Sequence, residues 1–393
     1  MKMKQSIGYY KCCLWGALCL LAGCTEADSP EGSSPVNESR QDISLIVDSE
    51  VDLNSSPDYG VSDEVDKQHV KNVVLYIFQP SVGAAGYTCA AIENVGWSDF
   101  FGETLPETTA EMTYRIQASL SPYTTYTFLA VGYETEPVYD IMNNNEVTVS
   151  IESYTLDELK ASLKNEKTKD DIAGNELFSG TLTVTTDESG KIPEGSVVEL
   201  RRRVAGLSAC FTFTGFSEKP GKVAVMLYKD QNRAVPVLKR IWQEPVFTDY
   251  INSPLTSSET VNNQCLLELN ITGDEGSSYQ TGEKAVYVLP IPAPAETDAT
   301  NYTLAVVVYN LEGMAIASKR AALAIDGTLI FNTDLGTGII DDDSFYRYPI
   351  VANRFYNLGN ADSPLNVVYD PNNPFEVIVE DSWEGIPDMG FGD

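Results

Sequence analysis

Apolar positions along this chain mostly recur every second residue. Ile43, Leu45 and Val47 alternate with Ser44, Ile46 and Asp48, the period of a strand with one face buried. The same alternation carries Met112, Tyr114, Ile116, Ala118 and Leu120 against Thr113, Arg115, Gln117 and Ser119, and it predicts the clearest strand of the chain. From Val73 to Phe78 the run is instead unbroken and rich in β-formers, as expected of a strand covered on both faces. Further strands are predicted over 126–133 and 180–186. A second series begins near Ser196 with 197–200 and continues over 205–213, 222–228, 264–270, 285–289, 302–309, 366–369 and 375–380. One helix interrupts the pattern: Thr155 and Glu158 form a capping box, and Leu156, Leu159 and Leu163 share a face.

Many short strands, turns rich in Gly, Pro, Asn and Asp, and one connecting helix predict an all-β protein built of two tandem β-sandwiches. The turn signals Gly190 and Pro193-Glu194-Gly195 set the boundary, giving an N-terminal sandwich over 41–194 and a C-terminal one over 195–393. A single hydrophobic core rarely serves a chain of this length, which points the same way. No repeat of 20–50 residues is present, which argues against a solenoid or a propeller.

Ahead of the first strand the pattern changes twice. Lys2, Lys4 and Lys11 precede an apolar stretch, Cys12 to Gly23, that closes on Leu21-Ala22-Gly23-Cys24. As a helix that stretch rises only about 18 Å, short of the ~30 Å hydrocarbon core, so it reads as a cleaved signal peptide rather than a membrane span. The small residues before Cys24 form a lipobox. Cleavage between Gly23 and Cys24 removes residues 1–23 and leaves a diacylglycerol and an N-acyl chain on Cys24, the one covalent group expected; no other cofactor is expected. Residues 25–40 are rich in acids, Ser, Pro and Gly with Val36 as the one branched aliphatic residue, so 24–40 form a polar tether between the lipid and the folded body.

Charge narrows the partners. The whole chain carries a formal −31, and losing the three signal-peptide lysines makes it −34. Such a chain repels a phosphate backbone, so nucleic acid is excluded as a partner, and basic attraction to anionic lipid cannot do the anchoring. Chemistry is sparse. There is one histidine, His69, in a polar stretch read as surface, with no nucleophile motif to pair with it, so no enzyme is predicted. A two-carboxylate glycosidase leaves no mark that counting acids could detect. Asp341-Asp342-Asp343 offers oxygen ligands but lacks the spacing of a calcium loop, and reads as a solvated acidic loop; no metal site is predicted. Outside the signal peptide and Cys24, only Cys89, Cys210 and Cys265 remain, an odd set that leaves one disulfide open and unassigned. Arg201-Arg202-Arg203 reads as internal charge balance where the two halves meet.

Several segments together resemble the fimbrillin family, the lipoprotein-derived (type V) pilins of Bacteroidales. They are the lipobox and tether followed by an arginine and a strand, the strand Val73-Val74-Leu75-Tyr76-Ile77-Phe78, and the segment Leu200-Arg201-Arg202-Arg203-Val204-Ala205. To these add Ala352-Asn353-Arg354-Phe355-Tyr356-Asn357-Leu358-Gly359 and the ending Phe375-Glu376-Val377-Ile378-Val379-Glu380-Asp381-Ser382-Trp383-Glu384-Gly385. The resemblance implies two transthyretin-like Greek-key sandwiches, no catalysis, and export to the outer-membrane surface as a lipoprotein. It also implies assembly with other pilus subunits, or with copies of itself, in a fimbrium that supports adhesion to host or bacterial surface ligands. In the family a trypsin-like protease cuts after an arginine and removes the first strand, and a neighbour's C-terminal strand fills the groove; anchor subunits keep their lipid and tip subunits carry adhesive surfaces. Carried over, the processing site is Arg40 and the donor strand is Phe375–Glu380, with Phe375, Val377 and Val379 filling alternate pockets. Arg40, however, precedes the first strand instead of following it, and the next basic residue is Lys67. The competing reading is a surface lipoprotein that binds glycan or another ligand without polymerising; an exposed Trp97 would support it, but the stretch Gly96–Gly102 reads first as a hydrophobic turn packed on its own domain.

Overall fold

Strands from the first part of the chain, two of them strictly alternating (41–47 and 110–116), form a seven-stranded sheet. The computed structural model describes residues 41–48, 68–83, 86–102, 106, 109–134, 137–238, 264–273, 278–291, 294, 302–324, 349–369 and 375–380, all within one body, Ser39–Asp393. Along the chain come β1 (Gln41–Val47), β2 (Asn72–Pro80), β3 (Tyr87–Asn94), α1 (Trp97–Phe101), β4 (Ala110–Ile116) and β5 (Thr125–Tyr133). They are followed by β6 (Tyr139–Met142), β7 (Lys160–Leu163), α2 (Lys169–Ala173), β8 (Leu177–Thr185) and β9 (Val197–Arg202). The sheet order is β3-β2-β5-β8-β9-β1-β4, antiparallel except where β1 meets β9. Inward residues Ile43, Leu45, Leu75, Phe128, Val198 and Leu200 share one core.

The remaining strands are β10 (Ala205–Ala209), β11 (Phe211–Thr214), β12 (Pro220–Leu227), β13 (Ala234–Pro236), β14 (Cys265–Asn270) and β15 (Tyr279–Gln280), then β16 (Lys284–Val288), β17 (Leu304–Asn310), β18 (Ala315–Ala324), β19 (Phe355–Leu358), β20 (Leu365–Val368) and β21 (Phe375–Glu380). Eight of them form a sheet in the order β14-β12-β17-β18-β21-β19-β10-β16, and β15-β11-β20 form a small one. Leu207, Phe211, Val225, Val306 and Tyr356 share the second core. A third core mixes Leu129, Leu177, Val204, Val235, Tyr287 and Phe355, and the sheet β13-β7-β6 likewise pairs strands from both parts of the chain. The protein is all-β.

Three local expectations change. The strand at 197–200 belongs to the first large sheet, not to the second series: Val198 and Leu200 are fully buried there between β1 and β8, so the change of sheet falls after Arg202 instead of near 194/195. Gly180 permits that crossing, because a Cβ at this position would lie 1.8 Å from the Glu199 carbonyl oxygen. The run 205–213 breaks at Cys210, whose neighbours β10 and β11 pair in different sheets. The helix expected over 155–163 is absent. Leu159, Ala161 and Leu163 lie at every second position in and beside β7, whose residues are all buried, a spacing that also satisfies i, i+4, and Glu158 sits at φ 57°, which no right-handed helix accommodates. The capping box lies thirteen residues later, where Thr168 and Asp171 open α2.

Candidate functional site

For a chain read as a strand-exchange protein, the functional elements are the strand expected to leave and the strand expected to donate. β1 is held along its whole length. Every residue from Gln41 to Val47 pairs with β4, and Ser44 to Val47 pair in parallel with Val197 to Leu200 of β9. Ile43, Leu45 and Val47 are buried to 1 % exposure or less. Its first residue is clamped: the Gln41 Nε2 donates to the Gly190 carbonyl at 2.5 Å, and its Oε1 accepts from the Ile192 amide at 2.8 Å. Past its last residue, the Asp48 carboxylate meets the Arg201 guanidinium at 2.6 Å. On the solvent face Asp42 takes two hydrogen bonds from Arg115, at 2.9 and 3.3 Å, and this contact holds the Asp42 carboxyl below its ordinary range.

β21 is equally committed. Ala321–Ala324 of β18 run parallel to Phe375–Ile378, and Phe355–Asn357 of β19 run antiparallel to Glu380–Ile378. The strand therefore occupies an interior place in the eight-stranded sheet of its own chain. Phe375, Val377 and Val379 all lie on it.

Between the two large sheets lies a buried ionic centre. Glu176 is fully buried; its Oε1 accepts from the Arg202 Nε at 3.0 Å and its Oε2 from the His69 amide at 2.7 Å. The His69 Nδ1 stands 3.3 Å from the same Oε2, at ion-pair distance but without hydrogen-bond alignment. Arg202 is also fully buried, donates to the Asn353 Oδ1 at 3.1 Å and lies 5.0 Å over the Phe178 ring. Arg203 donates to the Ser179 hydroxyl at 2.5 Å and to the Val237 carbonyl at 3.1 Å. Burial alone would raise the Glu176 pKa, but Arg202 and His69 outweigh it and bring the carboxyl below its usual value. Contact with that carboxylate raises the His69 pKa against the opposing effect of burial. Nearby Glu134 is raised, by burial first and then by repulsion from Glu176.

His69 is thus a half-buried ion-pair partner and not a surface residue. Within the arginine run, Arg201 meets Asp48 and Glu199 and Arg202 meets Glu176, which is charge balance, while Arg203 donates to the Ser179 and Val237 oxygens. Sequence reasoning found neither Gln41 nor Glu176: a lone Gln before a strand and a lone Glu after Asn175 follow no period and complete no motif.

Of the other residues singled out from sequence, Gly23, Cys24, Arg40, Lys67 and Asp341-Asp342-Asp343 lie outside the described residues. Cys89, Cys210 and Cys265 are free thiols, and burial pushes the Cys89 thiol up to about 11. Trp97 is packed, as the reading of a hydrophobic turn expects: it opens α1 at 1 % exposure, against Phe101. Among the described residues no cluster of His, Cys, Asp and Glu could hold a metal ion, and no helix is long and apolar enough to cross a membrane.

Residues 41–234 match the family model for fimbrillin-A associated anchor proteins Mfa1 and Mfa2. No curated protein sequence matches the chain. Among solved structures, similarity extends to the fimbrial anchor protein Mfa2 of Porphyromonas gingivalis, at 12% identity over 72% of this chain and 82% of that one, with a TM-score of 0.34. It extends also to the tip fimbrial protein Mfa3 of the same organism, with a C-terminal truncation, at 11% identity over 86% and 98%, TM-score 0.34. A candidate adhesin of Bacteroides thetaiotaomicron matches at 12% identity over 87% and 96%, TM-score 0.42.

Proposed function

This chain belongs to the fimbrillin-like family through residues 41–234, and from that premise we propose that it is an accessory fimbrial subunit that keeps its lipid on Cys24 and works as an anchored, non-polymerising member of the assembly. The family is one of fimbrial anchor proteins, which supports a structural, non-enzymatic protein that works with other fimbrial subunits at the cell surface.

One observation carries the finer reading: β1 begins at the residue directly after Arg40 and is paired on both sides. A cut after Arg40 would discard lipid and tether yet leave the first sheet whole, opening no groove for an incoming strand. A cut at Lys67 would free β1, but only by parting β4 from β9 and uncovering the sites of Ile43, Leu45 and Val47. The interior place of β21 supports the same reading from the other end, since a donated strand must first leave its own sheet. What remains for the tether of residues 24–40 is to hold a closed body a short distance from the membrane.

The test is Cys24→Ala in cells. The wild-type protein is expected in the outer-membrane fraction, labelled by radioactive palmitate and released only by detergent. The variant is expected to lose the label and to leave that fraction. An unlabelled wild-type protein, or a variant that stays in the membrane as well as wild type does, contradicts lipid anchoring.

A further inference from the structure

The ionic centre between the two large sheets gathers two carboxylates. Glu176 lies fully buried just ahead of β8, and Glu134, 6 % exposed, follows β5 and accepts from the Glu176 amide. Arg202 of β9 answers Glu176 at 3.0 Å. The remaining charge is left to His69, 3.3 Å from Glu176 and also close enough to act on Glu134. Lys71 attracts Glu134 too, but from the solvent side, where it is exposed. From the second sheet come only neutral groups: the Tyr287 hydroxyl of β16 donates to Glu176, and Asn353, ahead of β19, accepts from Arg202. Of the other buried arginines, Arg203 donates to Ser179 and Val237 and Arg354 acts on Tyr356.

Two features set this centre apart from a structural ion pair. Two of its buried polar atoms, Glu134 Oε2 and His69 Nδ1, have no hydrogen-bond partner, so these two groups are held by charge more than by geometry. The second feature is access. The His69 side chain is 31 % exposed while Glu176 and Arg202 are closed to water, so solvent can add or remove a proton at His69 alone among the three. With that proton, two negative charges meet two positive ones. Without it, a net negative charge stays buried, which is costly until water reaches it.

We propose that this centre is a pH-operated latch between the two large sheets, closed while His69 carries a proton and loosened when its loss leaves Glu134 and Glu176 facing Arg202 alone. The contacts it would release are those that join the sheets: Glu176 to Tyr287, Arg202 to Asn353, and the neighbouring backbone bonds from the Asn353 amide to the Val204 carbonyl and from the Gly206 amide to the Arg354 carbonyl, at 2.8 and 2.9 Å. Both titrating groups act in one direction. Contact with Glu176 raises the His69 pKa, so its contribution is complete below 6.5 and is lost as pH climbs through the raised value. Glu134 is raised by burial first and then by repulsion from Glu176, so its ionisation is a cost that sets in as pH rises. The cores around Leu75 and Val306 do not include these side chains, so the loosening is local and both cores hold. The latch does not depend on lipid anchoring, which the Cys24→Ala experiment tests separately.

The experiment is amide hydrogen exchange on the full mature chain at pH 6 and pH 9, corrected for the intrinsic rate. From pH 6 to pH 9 the amides of His69, Asn353 and Gly206 are expected to lose protection by about tenfold or more, while those of Leu75 and Val306 keep theirs. Glu134→Gln keeps the shape and leaves the centre balanced with His69 uncharged. In that variant the pH effect should vanish or reverse, and the NMR titration midpoint of His69, the sole histidine, should fall toward 6.5. His69→Gln should leave the junction as open at pH 6 as the wild type is at pH 9. An unchanged His69 midpoint and an unchanged pH effect in Glu134→Gln overturn the latch. So does a junction that stays protected in His69→Gln, or a wild-type loss that reaches Leu75 and Val306 equally, which is global unfolding.

Discussion

Glu176→Ala is expected to lower the unfolding free energy by about 3–5 kcal/mol, the cost of removing one member of a buried ion pair. The magnitude follows from what remains. Arg202 is fully buried and keeps the Asn353 amide oxygen and the Phe178 face, but the carboxylate facing its Nε is gone. The His69 backbone amide loses its acceptor as well. Because Asn353 lies just ahead of β19 and Phe178 lies on β8, the loss weakens the contact between the two large sheets and not one strand alone. Glu176→Gln keeps an acceptor for the His69 amide and should cost less.

The same substitution should remove a pH dependence with two limbs. Glu176 titrates below its ordinary value, so its contribution is complete above the usual carboxylate range and is lost as pH falls through the lowered value. His69 titrates above its ordinary 6.5; its contribution is complete below 6.5 and is lost as pH rises through the raised value. The pair is therefore strongest between the two ranges. His69 is the only histidine in the chain, which makes the upper limb assignable. Urea midpoints at pH 6, 7 and 8 should fall with pH in the wild type and much less in Glu176→Ala. Equal slopes in both proteins would detach His69 from Glu176.

Deleting residues 375–393 is expected to abolish cooperative folding of the eight-stranded sheet. β21 makes four residue pairs with β18 and three with β19 from an interior place, so its loss splits that sheet into two parts and exposes backbone donors and acceptors on both new edges. Family resemblance by itself implied the opposite outcome, a folded monomer that merely fails to assemble. The two are separated by circular dichroism and a melting curve on the purified truncation. A native melting temperature with loss of assembly alone would restore Phe375–Glu380 as a donor strand.

Legibility in the sequence followed the strength of the period. β1, β2, β4, β5 and β8 announce themselves because one or both faces are buried against a continuous core. β18 does not: Ala-Ile-Ala-Ser-Lys-Arg-Ala-Ala-Leu-Ala has the composition of a helix, and only its partners β17 and β21, distant in sequence, make it a strand. β7 misled for another reason, since leucines at i and i+4 fit a helix face and a strand face alike. The ionic centre was legible on one side only. Three consecutive arginines in an acidic chain must find partners, but nothing local marks Glu176, and the pairing of residues 26 apart is a product of the sheet that brings β8 to β9.

The most direct test of the anchored, closed subunit is the intact mass of the N-terminus of the mature protein, taken from washed cell-surface fimbriae and outer membranes. A chain beginning at acylated Cys24, with residues 24–40 and β1 still attached, is the expected result. A chain beginning at Gln41, or one that starts after Lys67 and so lacks β1, recovered without lipid from large oligomers, would show a processed and polymerising subunit and contradict it.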